Sequence, residues 1–335
     1  MPELPEIEHL RRSLEPVLVG ARVRQVRLLR RDVAHSFTCD GSYRRTRRRD
    51  LLLGETIESL TRHGKELTIN SGTGPLVCVH LGMSGQLWYR PSRLHLQRRN
   101  HVHCIWWMDS PTSSGRLVFR DPRRFGGLWT FPSTEALHAT RWSRLGPDAL
   151  SIGAQTLRRR LSQTRRPIKA ALLDQHIVAG IGNIYADEIL FAAQIHPLSI
   201  SNSISATDYR TLAKVIHSIL RHAIAAGGST THDYIDGHGR PGSFARHHQV
   251  YGRPLQPCLR CGRQLQSIKV VQRTTIFCPQ CQRIFNGPRV RRPLDNRTGL
   301  RTVTDYMDKT PAKHEASSIR ITSPIGNKYS SPYSR

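Results

Sequence analysis

Near the start of the chain the apolar residues Leu4, Ile7, Leu10, Leu14, Val17 and Leu18 recur mostly at spacings of three and four. That spacing puts them on one face of a helix, which Gly20 ends. The pattern then changes to short runs rich in β-branched and aromatic residues. They lie at Arg22–Leu29, Glu66–Asn70, Leu76–Leu81, Gln86–Tyr89, His101–Met108, Arg116–Arg120 and Gly127–Phe131. Gly, Ser, Pro and Asn separate these runs, as in a sandwich or barrel. Arg44–Arg49 (RRTRRR) interrupts the region and reads as an exposed basic loop. Near Pro132 the periodicity becomes helical, with helices predicted over Leu157–Leu161, Ile168–Leu173, Asn183–Ala193 and Ala206–Ala225. The turn Gly180-Ile181-Gly182-Asn183 precedes the third. A Gly-rich, poorly structured stretch follows from Gly227 to Phe244, then a cysteine-bearing unit at Tyr251–Asn286. From Pro288 the chain is polar and aperiodic and reads as a mostly disordered tail.

The expected fold is therefore α+β and multidomain: an N-terminal β-sandwich with a leading helix, a helical domain, and a C-terminal four-cysteine β-hairpin. The divisions read as 1–135, a linker at 136–153, 154–249, 250–287 and a basic tail at 288–335.

A formal net charge of +27 on 335 residues changes the picture more than any element does. It points to a polyanionic partner, with nucleic acid ahead of a membrane surface. No apolar run approaches the roughly 18 residues of a membrane span. The acidic, amphipathic start is unlike a signal peptide, so a cytoplasmic location is expected. Of the seven cysteines, Cys39, Cys78 and Cys104 are scattered and read as reduced, packed thiols. The other four form Cys258-x2-Cys261 and Cys278-x2-Cys281, two knuckles sixteen residues apart. Four thiolates close a tetrahedron around one zinc ion (Zn2+) and leave no open position, so the metal is structural. Lys269, Arg273 and Arg283, in and beside the intervening loop, suit a nucleic-acid hairpin better than a redox pair.

The first six residues, Met1-Pro2-Glu3-Leu4-Pro5-Glu6, carry candidate chemistry. Met1 precedes a small residue, and its removal would leave Pro2 as a terminal secondary amine. An α-amino group titrates near ~8, so a useful fraction is uncharged at neutral pH. Its adduct with a sugar aldehyde carbon is an iminium with no N–H to lose, which acts as an electron sink. Glu3 beside it can move protons. The same residues also suit the opening of a helix.

MPELPE, Lys65 in HGKELTI, HLGMSG at 80–85, DPRRFG at 121–126, GIGNIYADE at 180–188, GGSTT at 227–231, QVYG at 249–252 and QRTTIFCPQCQ at 272–282 occur in this order. Together, over about residues 1–287, they resemble the formamidopyrimidine-DNA glycosylases. The resemblance implies a helix–two-turn–helix in the helical domain and a bifunctional enzyme of base excision repair. Such an enzyme removes oxidised purines (8-oxoguanine, formamidopyrimidines) from double-stranded DNA and cuts the strand by β- and δ-elimination. It implies Pro2 as nucleophile, Glu3 as proton donor, and Glu6 as a second carboxylate orienting the site. Lys65 would bind phosphate and lesion, and Arg273 the phosphates beside it. Asn183 would hold a phosphate at its helix start, or simply cap the helix. Arg165 would be a further DNA contact or a solvated arginine. Met83, Arg123 and Phe125 would fill the gap left by a flipped base, although Met83 and Phe125 would otherwise be read as core. The loop Gly228–Phe244 would cap the extruded purine.

Where the family often carries a histidine, this chain has Arg99, with His101 nearby, and either could be the DNA contact. A monomer with one structural Zn2+ and no membrane partner is expected. Two rival readings are an endonuclease VIII-like glycosylase for oxidised pyrimidines and a non-catalytic zinc-bearing DNA-binding protein. Leu4 and the Met83, Arg123, Phe125 set favour the purine branch. Pro2, Glu3 and Lys65 argue against a mere binder.

Overall fold

The apolar stripe of the first helix, α1 (Leu4–Leu18), faces two different cores. Leu10, Leu14 and Leu18 are fully buried in a β-sandwich, whereas Leu4 packs among the helices of the second half of the chain. Gly20, with φ +81°, turns the chain into the first strand. The computed structural model describes residues 2–92, 100–110, 114–230 and 234–286. The tail expected at 288–335 lies outside the described residues.

Ten strands build the sandwich: β1 (Arg22–Leu28), β2 (Ala34–Phe37), β3 (Tyr43–Arg44), β4 (Ile57–His63), β5 (Glu66–Ser71), β6 (Leu76–His80), β7 (Gln86–Pro91), β8 (Val102–Asp109), β9 (Ser114–Arg120) and β10 (Gly127–Phe131). One sheet has the order β1-β8-β9-β7 and the other β3-β2-β10-β6-β5-β4. Val26, Leu87, Trp106 and Phe119 of the first sheet meet Leu60, Ile69, Val77 and Leu128 of the second in one apolar core. All seven predicted strands are present. The three unpredicted ones have weak patterns for a physical reason. β2 has four residues and β3 only two, too few to show an alternation. β4 is a sheet edge and is buried at only two of seven positions.

The chain continues into α2 (Thr134–Thr140), whose first turn is capped by the Ser133 hydroxyl accepting the Ala136 N–H. Ala136, Leu137 and Trp142 pack on Leu76, Cys78 and Phe131, so the first part of the expected linker covers the six-stranded sheet. Cys78 and Cys104 are buried as expected, but Cys39 is exposed, beside the turn leading to the edge strand β3. The basic segment is not all loop. Arg44 ends β3, and Arg49–Leu51 forms a single helical turn closed by Asp50.

The helices α3 (Ala154–Leu161), α4 (Ile168–Leu173), α5 (Asn183–Ala192) and α6 (Ala206–Ala225) share a second core. α5 is buried nearly all round, from Ile184 to Phe191, and this includes two acids. The hairpin β11 (Gln266–Val270) and β12 (Arg273–Phe277) pairs Val270 with Arg273. Phe191 of α5 packs with Leu265 and Ile276, giving the cysteine unit and the helices one apolar contact.

A buried ion pair supports this docking. Lys169, with no exposed surface, lies 2.6 Å from Asp187, and its ammonium donates to the Thr275 hydroxyl at 2.7 Å. Asp187 also accepts the Ile276 N–H at 3.1 Å. Breaking one half of such a pair leaves an uncompensated buried charge, at a cost of about 3–5 kcal/mol. Asp187→Asn is expected to lower the thermal midpoint and expose β12 to limited proteolysis. Lys169→Met with Asp187→Leu is expected to recover most of the loss.

Candidate active site and zinc centre

Glu3 is buried although it is a carboxylate two residues from the start of the chain. Its oxygens accept N–H groups from the beginning of α5: Gly182 at 2.8 Å, Ile184 at 2.9 Å and Tyr185 at 3.3 Å. A helix start presents unpaired N–H groups and the positive end of the helix dipole, which a carboxylate satisfies. The GIGN turn makes room for it. A Cβ on Gly182 would come within 2.3 Å of the Glu3 carboxyl carbon. Gly180, at φ +112°, lies against Leu4 and accepts the Leu4 N–H at 3.1 Å.

Glu6 lies one turn on. Its carboxylate accepts the Glu3 N–H at 2.7 Å, the Tyr185 hydroxyl at 2.6 Å and the Ser229 N–H at 2.6 Å. Burial, together with the neighbouring Glu3 charge, pushes its pKa up to about 7 in spite of these three donors. The Gly-rich stretch is tied to α1 by more than this bond. Tyr234 donates to the Glu6 carbonyl at 2.9 Å, and Gly237 N–H donates to the Ser13 hydroxyl at 3.0 Å.

Lys65 sits in the β4–β5 turn. Gly64 N–H donates to Asp148 at 2.8 Å, while Arg62 bridges Asp148 and Glu8. Burial pushes the Lys65 ammonium below the usual lysine range; Glu3 and Glu6 pull it back up and Arg273 adds to the depression. The charges acting on Lys65 thus come from the chain start and the hairpin tip. Four residues from three separate parts of the sequence share one electrostatic environment. Arg273 opens β12 and is exposed.

Met83 and Phe125 lie on two adjoining loops. Asp121 clasps them, accepting the Ser84 hydroxyl at 2.6 Å and the Gly126 N–H at 2.7 Å, and Arg123 N–H donates to the Ser84 hydroxyl at 3.1 Å. Met83 is half-buried, not core, and Phe125 is 55% exposed with the Arg123 guanidinium 4.9 Å from its ring centre. His101 is exposed at φ +64°, and its carbonyl accepts the Asp121 N–H at 3.0 Å. Arg99 lies outside the described residues. Arg165 is exposed in the turn between α3 and α4, and no described contact brings it to the other site residues. Asn183 is not the helix cap. Gly182 occupies that position, and the Asn183 amide donates to the Thr274 carbonyl at 3.1 Å. Sequence reasoning missed Tyr185, Asp187 and Glu188, although all three lie in the GIGNIYADE motif. Glu188 accepts the N–H groups of Gln249, Val250 and Tyr251 at 2.8–3.1 Å, holding the QVYG turn. Asp148 and Lys169 carried no local signal.

The ligand atoms of Cys258, Cys261, Cys278 and Cys281 lie within 4.8 Å of one another. Cys258 and Cys281 sulfurs are 3.9 Å apart, Cys261 and Cys278 sulfurs 3.5 Å. Zinc–sulfur bonds of about 2.3 Å in a tetrahedron place sulfurs about 3.8 Å apart, so the quartet fits one zinc ion. The Arg260 and Cys281 N–H groups donate to the Cys258 and Cys278 sulfurs at 3.4 Å. Such a zinc cross-links the finger and takes no part in bond breaking.

A buried chain start on a helix N-terminus, an exposed aromatic–arginine pair and a four-thiolate hairpin suit a multidomain protein that handles nucleic acid. The comparisons make it specific. Residues 1–128 match the formamidopyrimidine-DNA glycosylase N-terminal domain, 145–234 its H2TH domain, and 256–284 the zinc finger found in FPG and IleRS. A Vibrio cholerae formamidopyrimidine-DNA glycosylase is 38% identical over 291 residues, covering 84% of this chain and all of the relative. The wild-type Lactococcus lactis Fpg (MutM) in complex with an N7-benzyl-Fapy-dG-containing DNA has a TM-score of 0.73 at 32% identity, covering 84% of this chain and 99% of that one. The same L. lactis protein with an oxidised-pyrimidine-containing DNA gives 0.72, also at 32%, with the same coverage. This chain belongs to the formamidopyrimidine-DNA glycosylase family. Among the described residues no helix is long and apolar enough to cross a membrane.

Two outcomes follow from this geometry. Between the ordinary glutamate pKa near 4.5 and about 7, folded Glu6 keeps a proton that the unfolded chain has released. Its contribution to stability is therefore present at low pH and lost as pH rises through that window. The drop in thermal midpoint from pH 4.5 to 7 is expected to be smaller in Glu6→Gln than in the wild type. Metal analysis is expected to find one zinc per chain, and chelation to abolish tight DNA binding while the sandwich stays folded by circular dichroism.

Proposed function

We propose that the residues gathered around the chain start carry out the family's activity, excision of oxidised purines from double-stranded DNA with strand cleavage at the resulting site. The observation that supports this most is the burial of Glu3 against the start of α5, where its charge acts on Lys65 as Arg273 does from the hairpin. It holds Pro2, itself buried, one residue from a fixed carboxylate.

In this reading Met1 is removed and the Pro2 nitrogen attacks C1′ of the damaged nucleotide as the base departs. Glu3 takes up the proton that the Pro2 nitrogen loses and delivers it to the ring oxygen as the C1′–O4′ bond breaks, leaving an iminium between Pro2 and C1′. The iminium draws electrons from the C2′–H bond. Loss of that proton expels the 3′ phosphate (β-elimination), and a second elimination expels the 5′ phosphate. Lys65 and Arg273 hold phosphates flanking the lesion as charged donors. Met83 and Phe125 replace the stacking lost on extrusion, and Arg123 hydrogen-bonds the widowed base. Asn183, Arg165 and His101 add backbone contacts, with Arg99 as the alternative to His101. The stretch from Gly228 to Phe244, of which residues 231–233 lie outside the described residues, is hung from Glu6 and Ser13 and closes over the extruded base. The protein works as a monomer in the cytoplasm, with the zinc finger as its second grip on the duplex.

Borohydride trapping on an 8-oxoguanine:cytosine duplex, followed by peptide mapping, tests the assignment. The cross-link is expected on Pro2. Pro2→Gly, or retention of Met1, is expected to reduce trapping at least a hundredfold while measurable DNA binding remains. A cross-link on an interior lysine would overturn the mechanism. Because an L. lactis relative has been solved with an oxidised pyrimidine, excision of thymine glycol measured alongside sets the lesion range. 8-Oxoguanine is expected to be the faster substrate.

A further inference from the structure

The segment RRTRRR takes no part in the site above, yet it lines a cavity of about 560 Å3 between the ends of the two edge strands β1 and β3. Five arginines face this cavity: Arg31, Arg44, Arg45, Arg47 and Arg48. A single carboxylate organises them. Asp50 binds the Arg44 guanidinium through both oxygens at 2.8 and 2.6 Å, and accepts the Arg47 N–H at 2.7 Å and the Ser36 hydroxyl at 3.2 Å. The Ser36 hydroxyl lies 3.0 Å from that of Thr46. The backbone of the segment is thereby pinned, while the charge of Asp50 is matched by Arg44 alone. The guanidiniums of Arg31, Arg45, Arg47 and Arg48 are exposed, and none forms a hydrogen bond or ion pair with a described residue. Four cations around one concavity whose lining includes no acid repel one another, and a chain of phosphates is the partner that offsets this.

The position of the cavity favours DNA as the source of those phosphates. Asp32, next to Arg31, accepts a hydrogen bond of 2.8 Å from Arg124, the neighbour of Phe125. The cavity therefore adjoins the loop that, in the reading above, enters the duplex at the lesion. Asp32 pairs with Arg30 at 4.0 Å as well as with Arg124, so of this group Arg31 alone lines the cavity.

We propose that this arginine cavity is a second phosphate-binding site, which holds the backbone of the same duplex several base pairs away from the lesion. It extends the DNA footprint and supplies a length-dependent part of the affinity. The inference rests on the proposed binding of lesion-containing duplex, and the test separates the two.

The full chain and an R45Q/R47Q/R48Q variant are compared on two duplexes carrying the same lesion. One ends a few base pairs from the lesion, and the other extends by at least a helical turn on each side. Affinity is measured across a salt series. Each phosphate contact contributes a slope of about 0.9 in log K against log salt. On the long duplex the variant is expected to lose about 2–3 in slope and more than tenfold in affinity at low salt. On the short duplex slope and borohydride trapping are expected to stay as in the wild type. Arg47→Glu alone is expected to act on the long duplex in the same direction. This single variant carries the test if the triple variant fails to trap on the short duplex. Equal losses on both lengths, or no loss on either, would overturn the proposal. So would stoichiometric binding of inorganic tripolyphosphate that the variant abolishes while long-duplex binding is unchanged, which would assign the cavity to a free polyphosphate. If the wild type itself gave no trapping on the short duplex, the catalytic reading would fall, and the length-dependent slope would still decide the cavity.

Discussion

The bond between the Glu3 carboxylate and the first turn of α5 is the constraint on which the rest of the site depends. A chain terminus ordinarily frays, because few contacts offset the entropy lost in ordering it. Here the start of the chain is drawn into the junction of two cores, with Leu4 packed among the helices and Ile7, Leu10 and Leu14 in the sandwich. The proposed mechanism needs a terminal amine held in place, and the dipole and free N–H groups of α5 fix the neighbouring residue, Glu3.

The same helix organises three further components. Tyr185 reaches Glu6, which holds the start of the Gly-rich stretch through Ser229. Asn183 and Asp187 reach β12 and place Arg273. Glu188 gathers three N–H groups of the turn that leads into the zinc finger. The run from Gly182 to Glu188 thus ties the chain start, the Gly-rich stretch and the finger to one rigid element. Glu3, Glu6, Asp187 and Glu188 are each paired or multiply hydrogen-bonded, as burial demands. Glu6 is the instructive case: three donors favour its ionised form, yet burial and the Glu3 charge prevail and raise its pKa to about 7.

Along the edge of the sandwich lined by Arg45–Arg48 the arginines follow another logic. Asp50 neutralises the adjoining Arg44 and shapes the loop, while the exposed heads of Arg45, Arg47 and Arg48 have no partner among the described residues. Surface charge of this kind adds little to stability. It acts instead on association, where phosphate contacts release counterions.

The leading helix, seven of the ten sandwich strands, the four later helices and the four-thiolate centre were all legible in the residues. Each has a strong local signature: period, turn chemistry or ligand spacing. The short strands β2 and β3, the edge strand β4 and the helix α2 were not. Short and edge strands bury few side chains, and a seven-residue helix inside a presumed linker has too little periodicity to stand out. At the site, Pro2, Glu3, Lys65 and Arg273 could be named from motifs, but nothing local says that residues 3 and 273 both act on Lys65. The amino-acid sequence by itself determined the element types, the metal ligands and the family. Tertiary structure alone decided that Gly182, not Asn183, caps α5, that Phe125 is presented rather than buried, and that Asp148 and Lys169 are the supports of the site. The reason is physical: capping, burial and ion pairing depend on which distant groups arrive within hydrogen-bond reach, and that is set by packing between elements, not by any local run of residues.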